Sequence, residues 1–147
     1  MLWFMAPGWL LGENEDGWTR FTTVYMNGPA YGGLFGNARG WARILRDQLQ
    51  DSSQIMSPAV KQRLYTPERT RAGKAIDMTL AWHTGVVSEQ AYHEKVGGGP
   101  GFSCNVRVYP ELGLASVWLS NRMEMSEGPI RELSNAIDAH FLPERAQ

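Results

Sequence analysis

A lysine leading into a run of glycines is the stretch of this chain best suited to chemistry on an anion. Lys95 and Val96 are followed by Gly97, Gly98, Gly99, Pro100, Gly101 and Phe102. Glycine belongs where the backbone approaches another group closely or takes φ > 0. A fixed positive charge beside exposed backbone N–H groups is a place to hold a carboxylate or a developing oxyanion. The competing reading is a Gly/Pro hairpin turn that leaves Lys95 in solvent. Lysine is otherwise scarce: Lys61 and Lys74 are the only others among 14 basic residues.

Other chemistries find less support. His83, His93 and Cys104 fall in neighbouring predicted strands, but no pair has the tight spacing of a zinc site, so neither metal nor cofactor is expected. Cys104 lies inside a strand pattern, where a small buried hydrophobe is expected rather than the nucleophile of a Cys–His pair. There is no G-x-S-x-G elbow and no P-loop. His140 falls in the last turn of a predicted helix, where the helix dipole accounts for it.

The elements that must position Lys95 follow from periodicity and punctuation. A polar break over 12–17 precedes a strand-forming run from Trp18 to Tyr25, closed by the turn Asn27-Gly28-Pro29. Asn37 is the expected cap of a helix running to about Gln50, with Trp41, Ile44, Leu45 and Leu49 on one face. Ser57 and Pro58 start a second helix that ends near Tyr65, ahead of Pro67. A polar, basic connector covers 68–74. Strands are predicted over 78–87, 93–97, 103–109 and 114–120, the last two joined by a turn at Pro110 to Gly113. A final helix from Pro129 to Phe141 should bury Ile130, Leu133, Ile137 and Phe141. The fold class is therefore α+β: an antiparallel sheet of about four to five strands with helices packed on it.

At 147 residues the chain is read as one domain, 1–147, long enough for a real core. Within it, 1–28 form a Trp-rich N-terminal segment. A net charge of −1 offers no basic surface for nucleic acid or an anionic membrane. The apolar start, Met1 to Leu11, lacks a positive n-region and is broken by Pro7 and Gly8, so neither a signal peptide nor a membrane span is expected. One cysteine excludes an internal disulfide and points to a reducing compartment, the cytoplasm, with the periplasm as the alternative.

From Pro29 to the C-terminus the order of features resembles the C-terminal part of the serine β-lactamase superfamily, which includes class C β-lactamases, family VIII esterases and D-alanyl-D-alanine peptidases. Pro29-Ala30-Tyr31-Gly32-Gly33-Leu34 and the Trp41-Ala42-Arg43 helix resemble the loop and helix after the middle of that fold. Ser57-Pro58-Ala59-Val60 resembles its next helix start, and Leu80-Ala81-Trp82 its L-G-W strand. Lys95-Val96-Gly97 resembles the K-T-G motif. Gly101-Phe102-Ser103, the hairpin at Tyr109-Pro110 and Leu119-Ser120-Asn121-Arg122 resemble the strands that close the family sheet.

The resemblance implies roles. Lys95 would supply positive charge for a substrate carboxylate and the acylation network. Gly98 would donate a backbone N–H to the oxyanion hole, a contact worth about 2.7–4 kcal/mol in the transition state. Tyr31, Gly97 and Asn121 would line the substrate, a small ester, β-lactam or D-amino-acid amide. The packed tyrosine and the strand-end asparagine are equally good readings of Tyr31 and Asn121.

The departures bear on activity. The family nucleophile is S-x-x-K on a helix, and no serine here has lysine three residues on. Ser57 and Lys61 are one residue too far apart. Tyr25-Met26-Asn27 matches the family's Y-x-N literally, but at the wrong place in the order. Val96 stands where a hydroxyl residue is usual. The expectation is a truncated or split hydrolase that holds one wall of an acyl-transfer site without its nucleophile. Two alternatives stand beside it: a non-catalytic binding or assembly module, and a small hydrolase using Ser103, Cys104 or Tyr25. In the family, upstream elements join beside the last strand; without them 114–120 would be an open apolar edge. A homodimer or a complementing chain paired there is therefore expected.

Overall fold

A computed structural model describes residues 8–22, 34, 36–99, 101–124 and 126–143. The chain divides into two compact units, 1–35 and 36–147. In the first, a 3₁₀ turn at Gly8–Leu10 leads into a hairpin of β1 (Leu11–Glu15) and β2 (Trp18–Phe21). The stretch 12–17 is thus not a break. Asp16 and Gly17 both take positive φ, 49° and 81°, which makes them the two-residue turn of that hairpin. Tyr25, Asn27 and Tyr31 lie outside the described residues.

The second unit is an antiparallel four-stranded sheet with three helices, which is the α+β class expected from the sequence. Its strands are β3 (His83–Val87), β4 (Gln90–Gly99), β5 (Phe102–Tyr109) and β6 (Leu114–Ser120), hydrogen-bonded in that order. Helix α1 (Ala38–Leu49) begins at Asn37, whose side chain accepts the Gly40 N–H at 2.8 Å. Helix α2 (Pro58–Tyr65) begins at Ser57, which accepts the Val60 N–H at 3.3 Å. Helix α3 spans Glu127–Asp138. Among the described residues no helix is long and apolar enough to cross a membrane.

Both sheet faces are covered, and each strand's alternation decides what is buried. On one face Val106 and Val108 of β5 pack with Leu45 and Trp82, and Trp41, Leu49, Leu64, Tyr65, Ala115 and Val117 surround them. Ile44 does not join this cluster; Gln48 takes the place in the buried stripe and accepts the Tyr65 hydroxyl at 2.6 Å. On the other face Tyr92, Tyr109 and Leu142 form a smaller cluster, with polar side chains between β5 and α3.

Two strands and one helix face differ from expectation. The strand predicted from Met78 begins only at His83, because the Thr79 N–H donates to the Trp82 carbonyl at 2.8 Å and folds 79–82 into a turn. Met78 keeps only an isolated bridge to His83. The strand predicted over 93–97 runs from Gln90 to Gly99, so three glycines extend it rather than end it. The stripe of α3 is Ile130, Ser134 and Asp138, whereas Leu133 and Phe141 are exposed. Its buried positions recur every four residues, and two of the three are polar. An apolar-periodicity reading passes over such a face.

Candidate active site

Strand β4 has two halves. From Gln90 to Glu94 it lies between β3 and β5, the last β3 pair being His83 with Glu94. From Lys95 to Gly99 it pairs with β5 alone, Lys95 opposite Val106 and Gly98 opposite Ser103. The glycine stretch is therefore an open sheet edge among the described residues, with unpaired backbone groups along it.

Lys95 is exposed, and no hydrogen bond or ion pair holds it among the described residues. An ammonium without a neighbouring carboxylate keeps its charge available for a ligand. Gly98 is exposed as well. Ser88 and Glu89, both at positive φ, form the two-residue turn between β3 and β4, so the closing pair Val87–Gln90 exchanges hydrogen bonds and, by alternation, the Gly97 N–H lies on the β5 side. Backbone groups of an antiparallel strand alternate between its two sides, so the Gly98 N–H turns to the open side. A charge and a backbone donor thus share one edge, three residues apart.

At two of these positions a larger residue would force a neighbouring side chain to move. A Cβ on Gly97 would sit 2.6 Å from Cys104 Sγ, and one on Gly99 would sit 2.7 Å from Phe102 Cε1. Both neighbours fold over the glycine backbone from β5 and close its other flank. The turn itself is carried by Gly101, at φ 79°.

The remaining predicted residues disperse. Val96 alternates to the opposite face from Lys95, across from Asn105. Asn121 follows the end of β6 and is exposed. Its neighbour Ser120 pairs with Ser103, which pairs with Gly98, so Asn121 lies two strand spacings, about 10 Å, from the glycine edge. Tyr31 is outside the described residues.

Of the candidate nucleophiles, Ser103 and Cys104 lie among the described residues, and neither is poised to react. Ser103 is 2% exposed, and its hydroxyl donates to the Arg122 carbonyl at 2.6 Å, tying β5 to the chain after β6. Cys104 is half-buried, and burial pushes its thiol up, against the smaller opposing pull of the Gly97 N–H. A thiol raised in this way is less reactive. Among the described residues no group of three His, Cys, Asp or Glu could hold a metal. His93 tilts against Tyr65 with ring centroids 4.7 Å apart, and burial lowers its pKa. Burial also raises the Tyr65 phenol to about 12.

What sequence reasoning missed lies directly behind Lys95. Glu94 points to the α3 face and is 1% exposed. Its carboxylate accepts from Asn105 Nδ2 and Arg107 Nε, each at 3.0 Å, and from Arg131 Nε. Burial works against this charge, but the bonds from Asn105, Arg131 and Arg107 outweigh it and hold the carboxyl below its ordinary range. Arg107 continues to Asn135 Oδ1 at 2.8 Å and Asp138 Oδ2 at 3.1 Å, and its guanidinium lies 4.2 Å over the Tyr92 ring. Tyr109 donates to Asp138 at 2.6 Å. Ser134 accepts from Asn105 and Trp118. The network pins β4 at the residue before Lys95. Its signal in the sequence was a charged residue on each of two predicted strands, Glu94 and Arg107, and Ser134 and Asp138 four residues apart.

A lysine and a backbone donor thus lie on one glycine-built edge of the sheet. A family model described as beta-lactamase matches residues 5–140. The chain belongs to the β-lactamase family. No curated protein matches it, and no solved structure does. Within this β-lactamase family member, β4 is the strand that carries Lys95, and α3 is the helix that packs behind it.

Proposed function

We propose that this chain forms the substrate-facing sheet wall of a β-lactamase-like acyl-transfer hydrolase. Lys95 receives the carboxylate of a small ester, β-lactam or D-amino-acid amide. Gly98 offers one N–H to the oxyanion that forms when the carbonyl is attacked. The attacking serine of an S-x-x-K motif comes from outside these 147 residues, in a longer or separate chain. Without it the chain binds ligand and forms no acyl-enzyme. One observation carries this reading: β4 leaves β3 after Glu94 and continues from Lys95 as an edge that, among the described residues, is open and holds an ammonium with no partner and an exposed Gly98.

A binding or assembly role is the second reading. Its support is the exposure of two tryptophans in the first unit, Trp9 at 69% and Trp18 at 80%, aromatic surface of the kind used at interfaces. The readings part on ligand binding. Titration of the purified chain with a carboxylate-bearing β-lactam should give saturable binding that Lys95→Ala weakens 10-fold or more, about the 1.4 kcal/mol or greater of one charge contact. Lys95 is exposed and has no partner among the described residues, so this variant should keep its stability within about 0.5 kcal/mol. Binding unaffected by Lys95→Ala would remove Lys95 from the site.

A further inference from the structure

Strand β4 changes character at Glu94. Up to that residue it is paired with β3, and from Lys95 it is paired with β5 alone. Beyond Glu94 only Val96 carries a side chain to the α3 face, because Gly98 has none and Lys95, Gly97 and Gly99 alternate to the other face. The anchorage of Glu94 therefore sets the direction in which Lys95 leaves the body of the sheet.

That anchorage comes from two sides. Asn105 and Arg107 hold the Glu94 carboxylate from β5, the strand to which β4 is already bonded. Arg131 holds it from α3, and among the described residues it is the one partner of Glu94 outside the sheet. Arg131 is itself held in place: its Nη1 meets Glu127, one turn earlier on α3, at 2.7 Å. A planar guanidinium with one nitrogen on each of two carboxylates has its orientation fixed. Asn105 and Arg107 are both 1% exposed and belong to the core, whereas the Arg131 side chain keeps 34% of its surface. Glu94 would stay bonded without Arg131, so what Arg131 adds is the placement of β4 against the helix.

We propose that Arg131 is a positioning residue for the ligand site, fixing β4 through Glu94 and thereby setting where the Lys95 ammonium stands. Arg131 lies on the far face of β4 from the Lys95 side chain and acts without touching ligand. The proposal rests on the reading of Lys95 as the cation that receives a substrate carboxylate.

Titration of the full chain with a carboxylate-bearing β-lactam, run as a double-mutant cycle, tests it. Arg131→Met keeps the apolar stem and leaves Glu94 two donors, so the circular dichroism spectrum should not change. Binding should weaken about 5-fold, a coupling of ordinary size between connected residues. Arg131→Lys, which keeps a cation near Glu94, should recover most of that loss. The deciding variant combines Arg131→Met with Lys95→Ala. With Lys95 gone Arg131 has nothing left to position, so the pair should bind no more weakly than Lys95→Ala alone. A merely structural role would weaken both backgrounds alike, and additive losses overturn the proposal. So does binding indifferent to Arg131→Met. Arg131→Gln carries the same cycle if Arg131→Met fails to fold. Failure of the underlying function reads differently: the wild type shows no saturable binding, or Lys95→Ala leaves binding unchanged, and this proposal falls with it.

Discussion

Removing Arg107 should be the most damaging single change behind the site. The guanidinium is 1% exposed and is the shared counter-charge of Glu94 and Asp138, with Nε at 3.0 Å from one and Nη1 at 3.1 Å from the other. Arg107→Ala leaves two buried carboxylates without it, and breaking a buried pair from one side costs about 3–5 kcal/mol. Glu94 keeps Asn105 and Arg131, and Asp138 keeps Tyr109, so the lower end of that range applies. A loss of about 3 kcal/mol is a large share of the 5–15 kcal/mol that stabilises a typical domain. At roughly 3–4 °C per kcal/mol it lowers Tm by about 10 °C. Urea and thermal unfolding at pH 7, followed by circular dichroism, measure it. The pH dependence is a second check. Glu94 has a folded pKa held below its ordinary value of 4.5, so its contribution is full above that pH and is lost as pH falls further. The gap between wild type and Arg107→Ala should therefore narrow below pH 4.5. A loss under 1 kcal/mol at pH 7, or a gap that does not change in acid, would refute the reasoning.

Further outcomes follow from the same geometry. His93 is held neutral by burial, so its contribution to stability is full above its ordinary pKa of 6.5 and falls as the pH drops below it; His93→Gln should flatten the stability profile between pH 6.5 and 5, measured by urea midpoints. Gly97→Ala brings a Cβ to 2.6 Å from Cys104 Sγ and should cost about 1–3 kcal/mol as an overpacked contact. Adding Cys104→Ala should recover most of that loss in a double-mutant cycle, and additive losses would show that the two residues do not meet.

How much of this could be read in advance differs by element. The caps Asn37 and Ser57 announced α1 and α2 because their side chains satisfy free helix N–H groups, a purely local demand. Strands β5 and β6 were legible from their apolar content and the turn between them. The end of β4 was not, since glycine's backbone freedom reads as a turn, and only pairing with 102–106 shows it to be a strand. The Asp16–Gly17 turn was legible and was passed over among polar neighbours. Lys95 and Gly98 could be singled out by residue type, but their position on an open edge depends on where β3 ends. The face of α3 was misread for a physical reason: Ser134 and Asp138 are buried because Asn105, Trp118, Arg107 and Tyr109 supply their hydrogen bonds from 16 or more residues away, and helical periodicity carries no information about such partners.

The central claim is a sheet wall of the β-lactamase family with a ligand site and no acyl nucleophile of its own. Intact-mass spectrometry of the purified chain, after incubation with a β-lactam and with a chromogenic ester, tests it most directly. The predicted result is an unmodified 16.5 kDa chain with no turnover above buffer. A stable acyl adduct on any residue would contradict it.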